Sequence, residues 1–158
     1  MGLVIRALLL SAALFIIHIC NAQSDPGASD MKTGVDNRSF TFVAQSASPQ
    51  KGGMIRLTGS TYTLKVKGDT LICDLPYYGR VYNPTYGGDA GLKFTSNKFN
   101  YKVTPRKKGG WNVKIGTSDL TTNRDLFLTI FENGNASLNV AANDRQSISY
   151  QGMVEVKK

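Results

Sequence analysis

The chain has 158 residues and a formal net charge of +8 at neutral pH, with one histidine and two cysteines. This length suits a single domain with its own core. His18 and Cys20 lie in an N-terminal segment that we expect to be removed, which leaves Cys73 as the one thiol. Such an inventory excludes Ser-His-Asp and Cys-His catalysis, histidine-ligated zinc, a Cys₄ zinc site and an intrachain disulfide.

Residues 1–22 have the pattern of a signal peptide. Arg6 precedes an apolar run that ends at Ile19, which has the length of a signal h-region and is short for a membrane span. Small residues then allow cleavage after Ala22, so we expect a periplasmic or secreted protein. An uncleaved anchor helix is one alternative. A lipoprotein acylated on Cys20 is another, disfavoured because lipoprotein signals place a small residue before the cysteine.

The charge of the mature chain favours anionic partners. Removing Arg6 and no acid lowers the formal net charge from +8 to +7. For an exported protein this favours an anionic envelope component, such as lipopolysaccharide, acidic glycans or phospholipid headgroups, over nucleic acid. A solvated basic surface without a partner is the alternative.

The mature chain divides into two parts. Residues 23–37 are rich in glycine, serine and aspartate without an apolar period, which predicts a flexible tether. Residues 38–158 are predicted to form a single all-β domain.

Alternating apolar residues predict the first strands of that domain. Phe40, Phe42 and Ala44 indicate one strand, and residues 46–53 a loop after it. Lys67-Gly68-Asp69-Thr70 is typical of a hairpin with a two-residue loop. That loop would place apolar residues opposite one another: Val66 with Leu71, Leu64 with Cys73, and Tyr62 with Leu75. Cys73 would then point inward as a small buried hydrophobe.

Further hairpins are predicted in the second half. A turn at Asn97-Lys98 would pair Phe94 with Tyr101 and Leu92 with Val103. A three-residue loop, Glu132 to Gly134, with Gly134 left-handed, keeps the apolar faces together, because a one-residue slip would expose them. The resulting pairs are Leu126 with Val140, Leu128 with Leu138, and Ile130 with Ala136. A last turn at residues 143–145 would bring Val140 to Ile148 and Leu138 to Tyr150.

These elements predict an all-β protein. About eight or nine strands with short connections favour an antiparallel meander curled into a small barrel or partly open barrel, lipocalin-like in form. A two-sheet sandwich is the alternative. If the barrel were a carrier, we would expect a pocket inside it lined by Leu64, Phe94, Trp111 and Leu128.

No catalytic motif is found. There is no P-loop, no Gly-x-Ser-x-Gly and no EF-hand loop. Asp69, Asp119 and Asp144 lie in predicted turns, where bonds from side chain to backbone account for them. We assign no catalytic residue, metal ligand or cofactor and predict a protein that is not an enzyme. An enzyme that uses carboxylates or tyrosine is the least favoured hypothesis.

One segment, residues 75–89, breaks the strand pattern with four tyrosines, two prolines and three glycines. It fits a structural cap, because tyrosine buries area while its hydroxyl reaches a polar partner. It also fits a binding surface for a glycan or an extended peptide, since rigid amphipathic tyrosines and an arginine are typical contact residues. The candidate ligand-binding residues are Tyr77, Tyr78, Arg80, Tyr82 and Tyr86.

The block Leu75-Pro76-Tyr77-Tyr78-Gly79-Arg80, the following Tyr82, and Ile148-Ser149-Tyr150-Gln151-Gly152 resemble the signature of DUF4251. This is a family of small exported proteins of Bacteroidota with unknown function. The Phe40-x-Phe42-x-Ala44 opening and the Asn133-Gly134 turn fit the same pattern, and the likeness runs from Arg38 to Val154. The resemblance implies an exported all-β domain from a bacterium and carries no established activity or site residue.

The leading hypothesis is an exported, non-catalytic binding module of the bacterial envelope. Its ligand would be a glycan or peptide on the tyrosine-rich segment, or an apolar small molecule in a cavity within the sheet. The alternative from another class is a structural or assembly protein of the envelope without a small-molecule ligand.

Overall fold

The structure, a computed structural model, describes residues 26–59, 61–82 and 91–156. One helix precedes a series of strands in these residues. The helix is α1 (Pro26–Asp36), and the strands are β1 (Ser39–Pro49), β2 (Ile55–Arg56), β3 (Thr63–Lys67), β4 (Thr70–Leu75), β5 (Leu92–Ser96), β6 (Phe99–Pro105), β7 (Trp111–Thr117), β8 (Arg124–Ile130), β9 (Asn135–Ala142) and β10 (Arg145–Glu155).

The strands form one antiparallel sheet in the order β5-β4-β3-β1-β10-β9-β8-β7-β6, with the short β2 paired to β1. The sheet curls into a nearly closed barrel with one unsealed seam, between β5 and β6. The predicted all-β barrel is confirmed, and the sandwich alternative is not what forms. The strands pair in sequence order from β3 to β5 and from β6 to β10, and β1 joins these two series by pairing with both β3 and β10.

The seam has an unexpected connection. Nine strands joined by successive antiparallel pairings leave the two edge strands, β5 and β6, running in the same direction. Only Asn97 and Lys98 separate them, so β6 continues the course of β5 as one bent segment. The hairpin predicted at Asn97-Lys98 is therefore wrong, because a hairpin needs antiparallel edges. Phe94 pairs with Cys73, and Tyr101 pairs with Ile115.

Asp119 holds the corner between β5 and β6. Its carboxylate accepts hydrogen bonds from the Ser96 hydroxyl and from the backbone N–H groups of Asn97 (2.7 Å) and Lys98 (3.1 Å). The bond from Ser96, followed by those from the backbone, lowers the pKa of Asp119 below its usual value. Asp119 thus lies in the β7–β8 turn, as predicted, and its carboxylate fixes the bend between β5 and β6.

Most of the predicted hairpin registers are confirmed. Val66 pairs with Leu71 and Leu64 with Cys73. In the other half, the pairs are Leu126 with Val140, Leu128 with Leu138, Ile130 with Ala136, Val140 with Ile148, and Leu138 with Tyr150. Gly134 has φ of 82°, the left-handed conformation that the three-residue loop requires.

Two local predictions at the first hairpin and the first strand are wrong. The β3–β4 ladder ends at Thr63, and Leu75 pairs with Leu92 rather than with Tyr62. β1 does not stop at Ala44 but continues to Pro49 past a bulge that precedes Ser46. Bulges let a strand bend while it stays paired with its partner. The alternation of apolar residues did not reveal this continuation of β1.

Large side chains fill the barrel. Phe42, Leu64, Leu128 and Tyr150 are at most 1% exposed. Cys73 is buried as predicted, and burial raises the pKa of its thiol above the usual value. Phe94 on the edge strand β5 and Trp111 on β7 are half-buried and pack against this core.

Helix α1 differs from the tether expected over residues 23–37. Met31 and Val35, four residues apart, are buried against the barrel. The Tyr101 hydroxyl donates to the Val35 carbonyl at 2.7 Å, and the Arg38 guanidinium carbon lies 5.2 Å from the centre of the Tyr101 ring. A short polar helix with two large apolar residues depends on tertiary packing for its stability, so the local sequence predicts it only weakly.

We expect Val35→Ala to lower the free energy of unfolding by about 1–3 kcal/mol, because it leaves a cavity between α1 and the barrel. Urea denaturation measures this. Thr33→Ala, at an exposed position of the same helix, is the matched control and should change stability by about 0.5 kcal/mol or less. Equal effects of the two substitutions would contradict the docking of α1.

Candidate functional site

The described part of the tyrosine-rich segment crosses one end of the barrel. β4 ends and β10 begins at that end, with β3 and β1 between them. Two backbone hydrogen bonds then join the segment to β10: Gln146 N–H donates to the Arg80 carbonyl (2.9 Å), and Tyr82 N–H donates to the Asp144 carbonyl (2.7 Å). Val81 forms a bridge with Arg145. Residues 80–82 therefore run like a short strand beside the start of β10.

Tyr150 fixes the beginning of the segment. Its hydroxyl donates to the Pro76 carbonyl at 2.6 Å from inside the barrel. Because proline has no backbone N–H to donate, the β4–β5 pairing ends at Leu75. The Tyr150 hydroxyl then serves as the hydrogen-bond partner of the Pro76 carbonyl, where the chain leaves the sheet. The described part of the segment is thus held at Pro76 and at residues 80–82.

Tyr77 points inward and is 9% exposed. Its hydroxyl lies 2.8 Å from the Gln146 carbonyl oxygen and 3.0 Å from that of Arg80, so it donates a hydrogen bond shared between them. The Arg145 guanidinium carbon lies 5.0 Å from the centre of its ring, which is cation–π geometry. Burial raises the pKa of Tyr77 above its usual value, opposed by the positive charge of Arg145. A side chain at Gly79 would overlap the Tyr77 hydroxyl.

The other described candidates point outward. Exposure alternates from Tyr77 to Tyr82 with the period of two of an extended chain. Tyr78 is 43% exposed, Tyr82 is 53% exposed, and Arg80 between them is also exposed. Tyr86 lies outside the described residues. The structure therefore separates the predicted set into one inward tyrosine and an outward group of Tyr78, Arg80 and Tyr82.

Charged partners from β8 and the β9–β10 turn lie behind the segment, and the sequence did not indicate them. The Asp144 carboxylate lies 3.1 Å from Arg145 Nη2 and 3.3 Å from Arg124 Nη2, and all three side chains are only 12–13% exposed. Burial works to raise the pKa of Asp144, but the hydrogen bond from Arg145 and the charge of Arg124 hold it below its usual value. No linear motif joins these residues to Tyr77.

The described residues line at least three surface cavities. One of about 420 Å³ lies against the segment, between Tyr62, Asp74, Tyr77 and Lys93. Another, of about 580 Å³, is lined by the β7–β8 loop with Asn143 and Asp144. The third, of about 370 Å³, lies on the outer face of β1 and β3. None is lined by Leu64, Phe94, Trp111 or Leu128, the residues expected for a carrier pocket.

Two further searches covered the described residues alone. No three His, Cys, Asp or Glu side chains come together there in a way that could hold a metal ion. In the same residues, no helix has the length and apolar character needed to cross a membrane.

The family model for DUF4251, a domain of unknown function, matches residues 23–154. The chain belongs to this family. Three chains of solved structures match, and one is the crystal structure of a DUF4251 family protein from Bacteroides eggerthii DSM 20697. That match has a TM-score of 0.61 and 16% sequence identity, and covers 82% of this chain and 87% of the other. It shows a shared fold. The search of curated proteins found no match.

The predicted resemblance is thus confirmed. The family match extends upstream of Arg38, where the sequence likeness was expected to begin, and takes in α1. The Bacteroides neighbour agrees with the expected bacterial group.

We expect Tyr77→Phe to lower the free energy of unfolding by about 1–3 kcal/mol, because the part-buried Gln146 carbonyl loses this donor and the Arg80 carbonyl keeps only its bond from the Gln146 N–H. Urea denaturation measures the change. Tyr78→Phe removes the same atom from an exposed ring and should alter stability by about 0.5 kcal/mol or less. If both variants were neutral, Tyr77 would not pin the segment.

Alkaline pH should destabilise the protein. Burial raises the pKa of Cys73 above its usual value of 9.0, and those of Tyr77, Tyr101 and Tyr150 above 10.0. The folded state then keeps protons that the unfolded chain loses, so this contribution to stability is complete below about pH 9 and is lost as pH rises. Each group adds a slope of up to about −1.4 kcal/mol per pH unit.

Unfolding in urea at a series of pH values tests this dependence. Above pH 10, the free energy of unfolding of Tyr150→Phe should fall less steeply with pH than that of the parent, by the equivalent of about one proton. The comparison allows for the lower stability of the variant at neutral pH. An unchanged slope would mean that the Tyr150 phenol is not kept protonated by the fold.

Proposed function

We propose that the protein is a non-catalytic binding module of the bacterial envelope, exported by a signal peptide at residues 1–22. Its contact surface would be the outward side of the tyrosine-rich segment. One observation carries the proposal: the segment is fixed from within by Tyr77 and Tyr150, while Tyr78, Arg80 and Tyr82 stay exposed on one side of an extended chain.

Such an arrangement suits recognition. Two tyrosines give broad, rigid contact area with few rotatable bonds, and a fixed backbone reduces the ordering entropy of binding. Arg80 can add a charge-assisted hydrogen bond to a carboxylate or phosphate. Alternate exposed side chains match the repeat of an extended ligand, so the proposed ligand is an extended peptide or a glycan chain. The adjoining 420 Å³ cavity, with Tyr62 beside Tyr77, would extend this surface.

The structural alternative has an observation in its favour too. The inward contacts of Tyr77 would serve a cap over the end of the barrel equally well, whether or not a ligand binds. The exposed rings distinguish the two functions, because a cap gains little from tyrosines that face solvent.

We expect Tyr78→Ala/Tyr82→Ala to leave the melting temperature within about 4 °C of the parent, since about half of each side chain is exposed. The same variant should weaken binding by tenfold or more to the ligand that the parent protein selects from glycan and peptide arrays. Met153→Ala, at a residue 40% exposed on β10, is the matched control and should bind normally.

Native mass spectrometry of the protein recovered after export complements the arrays, because it detects a ligand that co-purifies. A parent protein that selects nothing by either method would contradict the binding proposal. A large drop in melting temperature in the double variant would instead support the structural cap.

A further inference from the structure

A second surface lies on the outer side of β6, β7 and β8, across the barrel from β3. It carries more positive than negative charge. Lys102 on β6 and Lys114 on β7 are directly opposite each other and both point outward. Among the described residues, neither takes part in an ion pair. Like charges at directly opposed positions destabilise a sheet, so these two lysines reduce stability where they stand.

Aromatic rings lie among these charges. Lys114 Nζ is 5.2 Å from the centre of the Phe127 ring, and the Arg106 guanidinium carbon is 4.6 Å from the centre of the Phe131 ring. Phe127 is 43% exposed and Phe131 is 41% exposed. Lys102, Arg106, Lys114, Phe127 and Phe131 together form what we call the basic-aromatic face.

The charge of this region remains positive after its acids are counted. Lys107 and Lys108 in the adjoining turn are exposed, which brings the basic side chains to five. Two acids are present, Asp125 opposite Gly116 at one end, and Glu132 beside Gly109 at the other. The outward positions of β6, β7 and β8, with the β6–β7 and β8–β9 turns, thus carry a net charge of +3.

We propose that the basic-aromatic face binds the surface of an anionic lipid bilayer. It lies on the outside of the barrel, and the cavities of about 370, 420 and 580 Å³ are lined by other residues. Phenylalanine rings offer no hydrogen-bonding group to a sugar or a soluble polyanion. They do enter the boundary between headgroups and acyl chains, while lysine and arginine contact anionic headgroups.

The cation–π pairs fit this partner. Lysine and arginine side chains lie with their apolar stems along aromatic rings and their charges outward. Such pairs let the rings move toward the acyl region without separating the charges from the headgroups. This proposal is independent of the tyrosine-rich segment, because it uses different strands and a different ligand.

Sedimentation with phosphatidylglycerol–phosphatidylcholine vesicles tests the proposal, with pure phosphatidylcholine vesicles as the neutral comparison. The protein is used in its exported form, with the N-terminus established by intact mass, and each variant is compared with the parent in the same form. We expect binding to the anionic vesicles that falls as salt rises. Lys102→Ala/Lys114→Ala should weaken it about 25-fold, since each basic residue at such a surface contributes roughly fivefold.

Lys65→Ala/Lys67→Ala is the matched control, because it removes two exposed lysines from β3 across the barrel. It should change binding less than about twofold. Phe127→Ala should weaken binding by about three- to tenfold. The exposed part of the ring would move from water into the bilayer, and the variant loses that part of the transfer free energy. The Lys102→Ala/Lys114→Ala variant should melt no lower than the parent, since it removes a like-charge pair.

Three results would overturn the proposal. Absence of binding to anionic vesicles at low salt is the first. An equal loss in the Lys65→Ala/Lys67→Ala variant is the second, because it would show a response to total charge and not to this face. The third is unchanged binding by Phe127→Ala together with complete displacement by dextran sulfate, which would identify a soluble polyanion as the partner class.

Discussion

The pairing of β1 with β10 unites the two halves of the barrel and positions every other strand. It joins the first and last strands, from Thr41 opposite Glu155 to Pro49 opposite Ile148. On either side of it, the strands are connected in sequence order and could form from local hairpins. Because it joins distant parts of the chain, this pairing carries a loop-closure entropy cost. Once formed, the ladder brings two meanders together into one barrel around Phe42 and Tyr150.

The same ladder creates the candidate site. It brings the beginning of β10, with Arg145 and Gln146, to the end of the barrel where β4 terminates. Tyr77 can then bond to the Gln146 carbonyl, and residues 80–82 can run beside β10. An inward tyrosine fixes the backbone, and fixing the backbone turns the next alternating residues toward solvent. Structural support and the proposed contact surface are therefore two sides of one extended segment.

Local patterns predicted much of this fold. The Gly68-Asp69 hairpin and the loop ending at Gly134 follow from turn chemistry and from the need to keep apolar faces together. The corner at Asn97-Lys98 could not be predicted in this way, since its direction depends on the number of strands in the closed sheet. Helix α1 was missed because Met31 and Val35 gain their stabilisation from the barrel and not from the helix itself.

The all-β class, the family and most hairpin registers follow from the amino-acid sequence, because each depends on residues close together in the chain. Which tyrosines face inward, and which charged groups lie behind them, follows only from the folded barrel. Arg145 reaches the Tyr77 ring, with Asp144 and Arg124 paired behind it, only after strands from both meanders have curled together. A linear pattern records which residues can pair locally, whereas burial and charge contacts arise between elements that the closed sheet brings into register.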